Sequence, residues 1–277
     1  MIITNKYNLP ESLLKAITWD LKPRTGFSVT ELINSPRVVQ LTRRHWDEIE
    51  EDISERIWLL LGTAVHYILE KGELPDSLKE ERLETEIYGI RVSGKPDLWR
   101  NNTISDYKVT SVWSIIYEPN GRTDWHSQLN LYRYLYWSNG FDTDKLEICA
   151  ILRDWQERKV GENGYPKIPI AMIDIPIWSL LTTGEYLDNR VKAHLKATAL
   201  SDDMLPECTP EEMWTKDTKY AIKKDGRKTA LAVLDTLEET TTRLTEGCYI
   251  EKRLGENVRC ERYCPARNWC NQYKESK

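Results

Sequence analysis

Phenylalanine is nearly absent from this chain. Two Phe stand against eleven Trp and fourteen Tyr among 277 residues, and most of those other rings are expected in the core or half-buried. No run of 18 apolar residues occurs, which argues against a membrane-spanning helix. No secretory leader is expected either, because Met1-Ile2-Ile3-Thr4 leads straight into polar sequence. These absences point to a cytoplasmic protein with no membrane partner. A surplus of positive charge is also missing. There are 39 Lys and Arg against 44 Asp and Glu, a net charge of −5. That is not the bulk signature of a polyanion binder, although such affinity needs only a local positive path.

The length allows one large α/β domain, or one domain with an appended lobe. The expected division is residues 1–200 as a core with N-terminal helices and 201–277 as a basic, cysteine-rich lobe packed on it. Positive charge gathers late: Lys216 to Lys228 holds six Lys and Arg against two Asp, and Lys252 to Arg267 holds five against two Glu.

Along the chain, Leu13, Leu14, Ile17 and Leu21 suit one short helix face. Ser28 to Arg44 reads as helix, capped by Ser28 or Thr30 and interrupted by Pro36. Ile53 to Lys71 is a clearer helix: Ile57, Leu60, Leu61, Ala64, Val65, Ile68 and Leu69 follow an amphipathic spacing, and Gly72 ends it. His66 falls on its shoulder. Glu84 to Val92 reads as one strand, with Glu86 a carboxylate that would support a site rather than serve as a ligand. Leu146 to Trp155 and Ile168 to Ile175 read as strands, Cys149 as a buried thiol, and Trp178 to Leu200 as a long helix. Tyr220 to Leu234 suits a hairpin around Asp225-Gly226, or a strand running into a helix.

Chemistry concentrates between Ser93 and Thr110. Leu98-Trp99 and Ile104 to Val109 read as strands joined by the polar turn Arg100-Asn101-Asn102-Thr103. Asp106 and Lys108 alternate along the second strand and so share a face, and Asp97 stands where the first strand begins. Close carboxylates raise each other's pKa, and a divalent cation with hard oxygen ligands, Mg²⁺ or Mn²⁺, relieves that. A lysine beside such an ion can stabilise charge on a phosphoryl group. On the helix Trp125 to Trp137, Gln128 and Tyr132 lie one turn apart on one face.

Cys260, Cys264 and Cys270 crowd the C-terminal end. In a chain of this type they point to metal or buried thiol rather than disulfides. A metal centre takes four ligands, so the fourth is Cys208 or Cys248. Cys208 is preferred, because it sits in a loop between Pro206 and Pro210.

Gly62-Thr63-Ala64-Val65-His66, then Gly94-Lys95-Pro96-Asp97, Asp106-Tyr107-Lys108 and Gln128-x3-Tyr132 follow in an order and spacing that resembles the PD-(D/E)XK nuclease superfamily. Within it the match is to RecB-like nucleases, including CRISPR-adaptation nucleases and phage recombination exonucleases. The resemblance implies a restriction-endonuclease-like core, a mixed central sheet flanked by helices, with a C-terminal cysteine-containing lobe. It implies that His66, Asp97, Asp106 and the Tyr107 carbonyl bind a divalent metal, that Lys108 positions or activates water, and that Gln128 and Tyr132 contact DNA or support the site. The cysteine triplet fits the subset with an iron–sulfur cluster, so Cys208, Cys260, Cys264 and Cys270 would hold a [4Fe-4S] cluster or Zn²⁺. Two positions depart from the pattern. The family more often has Glu where Asp106 stands, and Ser35-Pro36-Arg37 occupies the place of a Cys-Pro-Arg.

The expected function is a metal-dependent DNA exonuclease in phage or mobile-element recombination or DNA processing. It would work in a bacterial or phage-infected cell with DNA as partner, and a single-strand annealing or other recombination protein and an oligomeric state are further candidates. The rival readings are an endonuclease or end-trimming enzyme in spacer acquisition, and a non-catalytic protein that binds DNA ends or scaffolds a complex.

Overall fold

Arg100 faces Thr103 across the hairpin formed by strands Leu98–Arg100 and Thr103–Thr110. The two loop residues, Asn101 and Asn102, take φ of +46° and +57°. That is the backbone of a type I′ turn, and asparagine visits this region more readily than most residues. In the computed structural model, which describes residues 1–18, 25–162 and 164–276, the hairpin lies within a five-stranded sheet. Its order is Ile170–Asp174, Lys145–Leu152, Thr103–Thr110, Leu98–Arg100, Ser77–Lys79. Thr103–Thr110 and Lys145–Leu152 run parallel, and the other neighbours antiparallel. A parallel pair needs a long crossover, and the helix Thr123–Ser138 lies within it. The architecture is therefore mixed α/β, with mixed sheets flanked by helices.

Strand Lys145–Leu152 shows why the sequence folds this way. Leu146, Ile148, Ala150 and Leu152 are buried and the residues between them are not, the period-two pattern of a strand with one covered face. They join Leu129 and Tyr136 of the helix Thr123–Ser138, and Leu187 and Val191 of the helix Leu180–Thr198, in one core. A second sheet, ordered Phe27–Ser28, Ile90–Gly94, Leu83–Ile87, meets the helix Thr123–Ser138 at Gly94. A Cβ on Gly94 would lie 2.6 Å from Leu135 and 2.8 Å from Tyr132, so only glycine allows this approach.

Two expectations change, and the expected break at Pro36 is present. Glu84 to Val92 is two strands, because Tyr88 and Gly89 take φ of +54° and +71° and turn the chain back with Ile87 opposite Ile90. Glu86 is exposed on the first of them, opposite Arg91, and does not join the site. The helix Ile57–Lys71 forms after a 3₁₀ turn, but none of its residues is fully buried. Its apolar spacing marks a half-covered face rather than a core face. Ser28 to Arg44 forms two helices, Val29–Leu32 and Pro36–Arg44. Ser28 caps the first in a reciprocal box with Glu31, and Pro36 opens the second, where a missing N–H costs nothing. Leu13, Leu14 and Ile17 lie on the helix Glu11–Ile17, whereas Leu21 lies outside the described residues.

The chain divides into two compact units. One gathers Met1–Asn34 and His45–Ala199 and contains the sheets described above. The other gathers Ser35–Arg44 and Leu200–Lys277. The second has an antiparallel sheet ordered Ala232–Leu234, Lys219–Lys224, Cys248–Arg253, and its hairpin turns at Asp225-Gly226 with Gly226 at φ +79°. Among the described residues no helix is long and apolar enough to cross a membrane.

Candidate active site

The hairpin ladder stops where the chemistry begins. Leu98 pairs with Ser105, so an antiparallel ladder carried further would set Pro96 opposite Tyr107. Proline has no N–H to give. Instead, the Tyr107 N–H donates to Asp97 Oδ2 at 2.6 Å. Within a strand, the N–H and C=O of one residue point to the same edge. The Tyr107 carbonyl therefore faces the same unladdered edge as the Asp97 carboxylate.

Asp97 Oδ1 meets His66 Nδ1 at 2.9 Å. Glu80 Oε1 lies 3.7 Å from the same nitrogen and Glu80 also forms an ion pair with Lys95. One ligand atom from each of His66, Glu80 and Asp97 lies within 4.8 Å of the others. Sequence reasoning misses Glu80. It follows the edge strand Ser77–Lys79, whose last residue pairs with Leu98, and its N–H donates to the Asp97 carbonyl at 3.1 Å. Its place depends on that pairing, and its local sequence carries no signal.

Asp106 is buried on the strand Thr103–Thr110. Lys108 Nζ lies 2.5 Å from Asp106 Oδ2. That oxygen has no hydrogen-bond partner among the described residues, so its contact with the ammonium is an ion pair. Lys108 Nζ donates instead to Gln128 Oε1 at 3.0 Å, and Gln128 Nε2 donates to the Tyr132 hydroxyl at 2.9 Å. Tyr132 is buried, with its hydroxyl pushed well above the ordinary phenol range by burial.

The charges balance closely. Hydrogen bonds to Asp97 and then Glu80 lift His66 to about 10. Burial lifts Asp97 to about 6 against its bond to His66. Glu80 is half-buried, which pushes it up, yet its bonds to His66 and Lys95 hold it down to about 2. Three neighbouring carboxylates thus draw in the positive charge of His66, Lys95 and Lys108. A divalent cation is the other group that meets that demand, and an imidazole with carboxylate oxygens is a suitable donor set for Mn²⁺ or Mg²⁺.

A family profile, that of the PD-(D/E)XK nuclease superfamily, matches residues 28–271. The chain belongs to the PD-(D/E)XK nuclease superfamily. No curated protein matches the nuclease. Among solved structures it is similar to the protein named SSO0001, at 18% identity and a TM-score of 0.45, over 65% of this chain and 83% of that one. It is similar to an alkaline exonuclease (LHK-Exo) from Laribacter hongkongensis, at 12% identity and a TM-score of 0.39, over 69% and 93%. It is also similar to a phage related exonuclease from Haemophilus somnus 129PT, at 16% identity and a TM-score of 0.31, over 58% and 70%.

The second unit of the nuclease brings Cys208, Cys260, Cys264 and Cys270 to one pocket, shared with Arg37 and Arg259. Cys248 does not line it; its thiol lies 3.4 Å from the Thr245 hydroxyl. Ser35 Oγ stands 3.2 Å from Cys208 Sγ, and Arg37 Nη1 lies 3.9 Å from Cys270 Sγ. Burial pushes the Cys208 thiol up to about 11 and raises that of Cys264. Among the described residues the cysteines form no group whose sulfurs all lie within 4.8 Å.

The basic runs are partly neutralised. Lys216 pairs with Glu256, Lys219 with Asp235, Lys223 and Arg253 with Glu251, and Arg262 with Glu256.

Proposed function

We propose that this nuclease is a metal-dependent DNA exonuclease. The observation that carries the reading is the convergence of His66, Glu80 and Asp97 beside the unsatisfied carboxylate oxygen of Asp106 and the Lys108 ammonium. His66, Asp97, Asp106 and the Tyr107 carbonyl would hold Mg²⁺ or Mn²⁺, with Glu80 joining them or orienting His66. A divalent cation there supplies Lewis-acid stabilisation to a phosphodiester under attack. Lys108 orients the attacking water and stabilises charge growing on the phosphoryl oxygens. Gln128 fixes the Lys108 ammonium, and Tyr132 fixes Gln128. Lys224, Arg227 and Lys228, around the Asp225-Gly226 turn, would contribute backbone contacts to DNA. The cysteine pocket would hold a [4Fe-4S] cluster with Cys208 as fourth ligand. A role in phage or mobile-element recombination, with an annealing protein as partner, is the setting proposed for this activity.

The test is hydrolysis of linear duplex DNA with Mg²⁺ or Mn²⁺, comparing wild type with Asp106→Ala and Lys108→Ala. Metal-dependent degradation is expected, lost in both variants, with covalently closed circles left intact. Cutting of closed circular single strands would identify an endonuclease instead. DNA binding without cleavage, across metals and from folded protein, would overturn the enzyme reading in favour of an end-binding or scaffold role.

A further inference from the structure

Several aromatic rings near the far end of the strand Thr103–Thr110 remain in solvent. Trp113 and Tyr117 lie one turn apart on the helix Val112–Tyr117. Their centroids are 5.9 Å apart and their planes 25° from parallel, yet they are 46% and 76% exposed. Lys159 Nζ stands 5.6 Å from the centre of the Trp113 ring. Trp58, 57% exposed, has the Arg153 guanidinium 4.3 Å from its ring centre.

The scaffold ties these groups to one end of the sheet. The Arg153 N–H donates to the Thr110 carbonyl at 3.0 Å. Asp154 accepts from the Val112 N–H and the Ser111 hydroxyl, each at 2.7 Å, which anchors the helix carrying Trp113 and Tyr117. Trp58 lies eight residues before His66 on the helix Ile57–Lys71, roughly 12 Å along its axis. The rings therefore stand within a few nucleotides' reach of the carboxylates.

Rings of this size contribute a few kcal/mol each when buried, and these are held in water beside cations. A protein partner covering them would have to bury Arg153 and Lys159 as well, which is costly without matched carboxylates. A single-stranded polynucleotide meets both demands: its bases stack on ring faces, and its phosphates meet the cations. We infer that Trp58 with Arg153, and Trp113 and Tyr117 with Lys159, form a stacking platform for unpaired bases of single-stranded DNA beside the scissile phosphate. The location of that phosphate rests on the nuclease reading above. A duplex, whose bases already stack on one another, has no free base faces to offer.

The test is fluorescence anisotropy with the full chain in EDTA, where metal-dependent cutting stops. The probes are a labelled oligothymidylate and a blunt duplex of equal length. Trp113→Ala combined with Tyr117→Ala is expected to weaken oligothymidylate binding about tenfold, since stacking contributes roughly 1–3 kcal/mol per base. Duplex binding should change by less than about twofold, as should oligothymidylate binding by the Trp113→Phe, Tyr117→Phe protein, which keeps both rings. If the double alanine variant does not fold, Trp58→Ala with Lys159→Ala takes its place with the same expected loss. Folded variants that bind oligothymidylate like wild type would overturn the inference. So would equal losses on duplex and single strand, or no wild-type binding to the single strand. Failure of the nuclease reading looks different: the wild-type chain would bind as expected yet hydrolyse nothing when Mg²⁺ or Mn²⁺ is restored.

Discussion

Gly94 and Tyr132 are in direct contact, and a Cβ on the glycine would stand 2.8 Å from the tyrosine ring. The same tyrosine accepts the hydrogen bond that orients Gln128, which in turn accepts from Lys108. The absence of one side chain on a strand thus sets where a lysine points three contacts away. The path runs through packed and hydrogen-bonded groups, so it can be interrupted at each step.

Gly94→Ala tests the first step. The new methyl overlaps Leu135 and Tyr132, both buried on the helix Thr123–Ser138, and neither is the free end of a surface side chain. Overpacking of this kind costs about 1–3 kcal/mol. A lower denaturant midpoint with unchanged slope is expected, together with slower DNA hydrolysis as Tyr132 shifts. A variant as stable and as active as wild type would show that the strand and helix can separate freely.

Tyr132→Phe tests the second step and keeps the packing. It removes only the hydroxyl that accepts from Gln128 Nε2. Stability should fall by about 1 kcal/mol. The turnover rate should fall about tenfold to a hundredfold through misplacement of Lys108, with KM for DNA nearly unchanged because Tyr132 is buried. A rise in KM at constant turnover would assign the tyrosine to DNA binding instead.

Much of this arrangement can be read from local sequence. Asp106 and Lys108 share a face because strands have a period of two, and the Asn101-Asn102 turn places Asp97 near them. Glu80 escapes such reading, since its place follows from the pairing of Lys79 with Leu98 and no local period encodes it. The turn at Tyr88-Gly89 escapes too, because Glu84 to Val92 has strand-like alternation throughout and only the positive φ of two residues reverses it. The helix Ile57–Lys71 has an apolar spacing that suggests a core face, but the fold leaves Trp58 and Ile68 largely in solvent. Periodicity identifies the element without saying what covers it.

His194 makes stability depend on pH. It is fully buried beside Leu32, and burial, aided by the Arg190 charge and opposed by the Leu32 and Asn34 carbonyls and by Glu31, lowers it to about 4. A folded-state value below the unfolded one means that the unfolded chain binds the proton first. The stabilising contribution is therefore present above about pH 6.5 and is lost as pH falls toward 4. Its full size is about 3 kcal/mol. Urea unfolding at pH 7.5 and pH 5 should show part of this loss in wild type and a smaller loss in His194→Gln, which retains a donor for the Leu32 carbonyl. Equal losses in both proteins would assign the acid sensitivity elsewhere.

The cysteine pocket separates two candidate ligands. Cys208 lines it with Cys260, Cys264 and Cys270, whereas Cys248 lies on the strand Cys248–Arg253 against Thr245. Protein purified without oxygen should therefore contain iron and sulfide, at roughly the four iron per chain of a [4Fe-4S] group. Cys208→Ser should lose most of the metal and Cys248→Ser should keep it. Because Ser35 Oγ stands 3.2 Å from Cys208 Sγ, Ser35→Cys is expected to restore metal to the Cys208→Ser protein by returning a thiol to the same side of the pocket. Zinc at one ion per chain, without iron or sulfide, would overturn the cluster and make the pocket a tetrahedral zinc site. Metal lost from Cys248→Ser but retained in Cys208→Ser would make Cys248 the fourth ligand and leave Cys208 as a buried thiol hydrogen-bonded to serine.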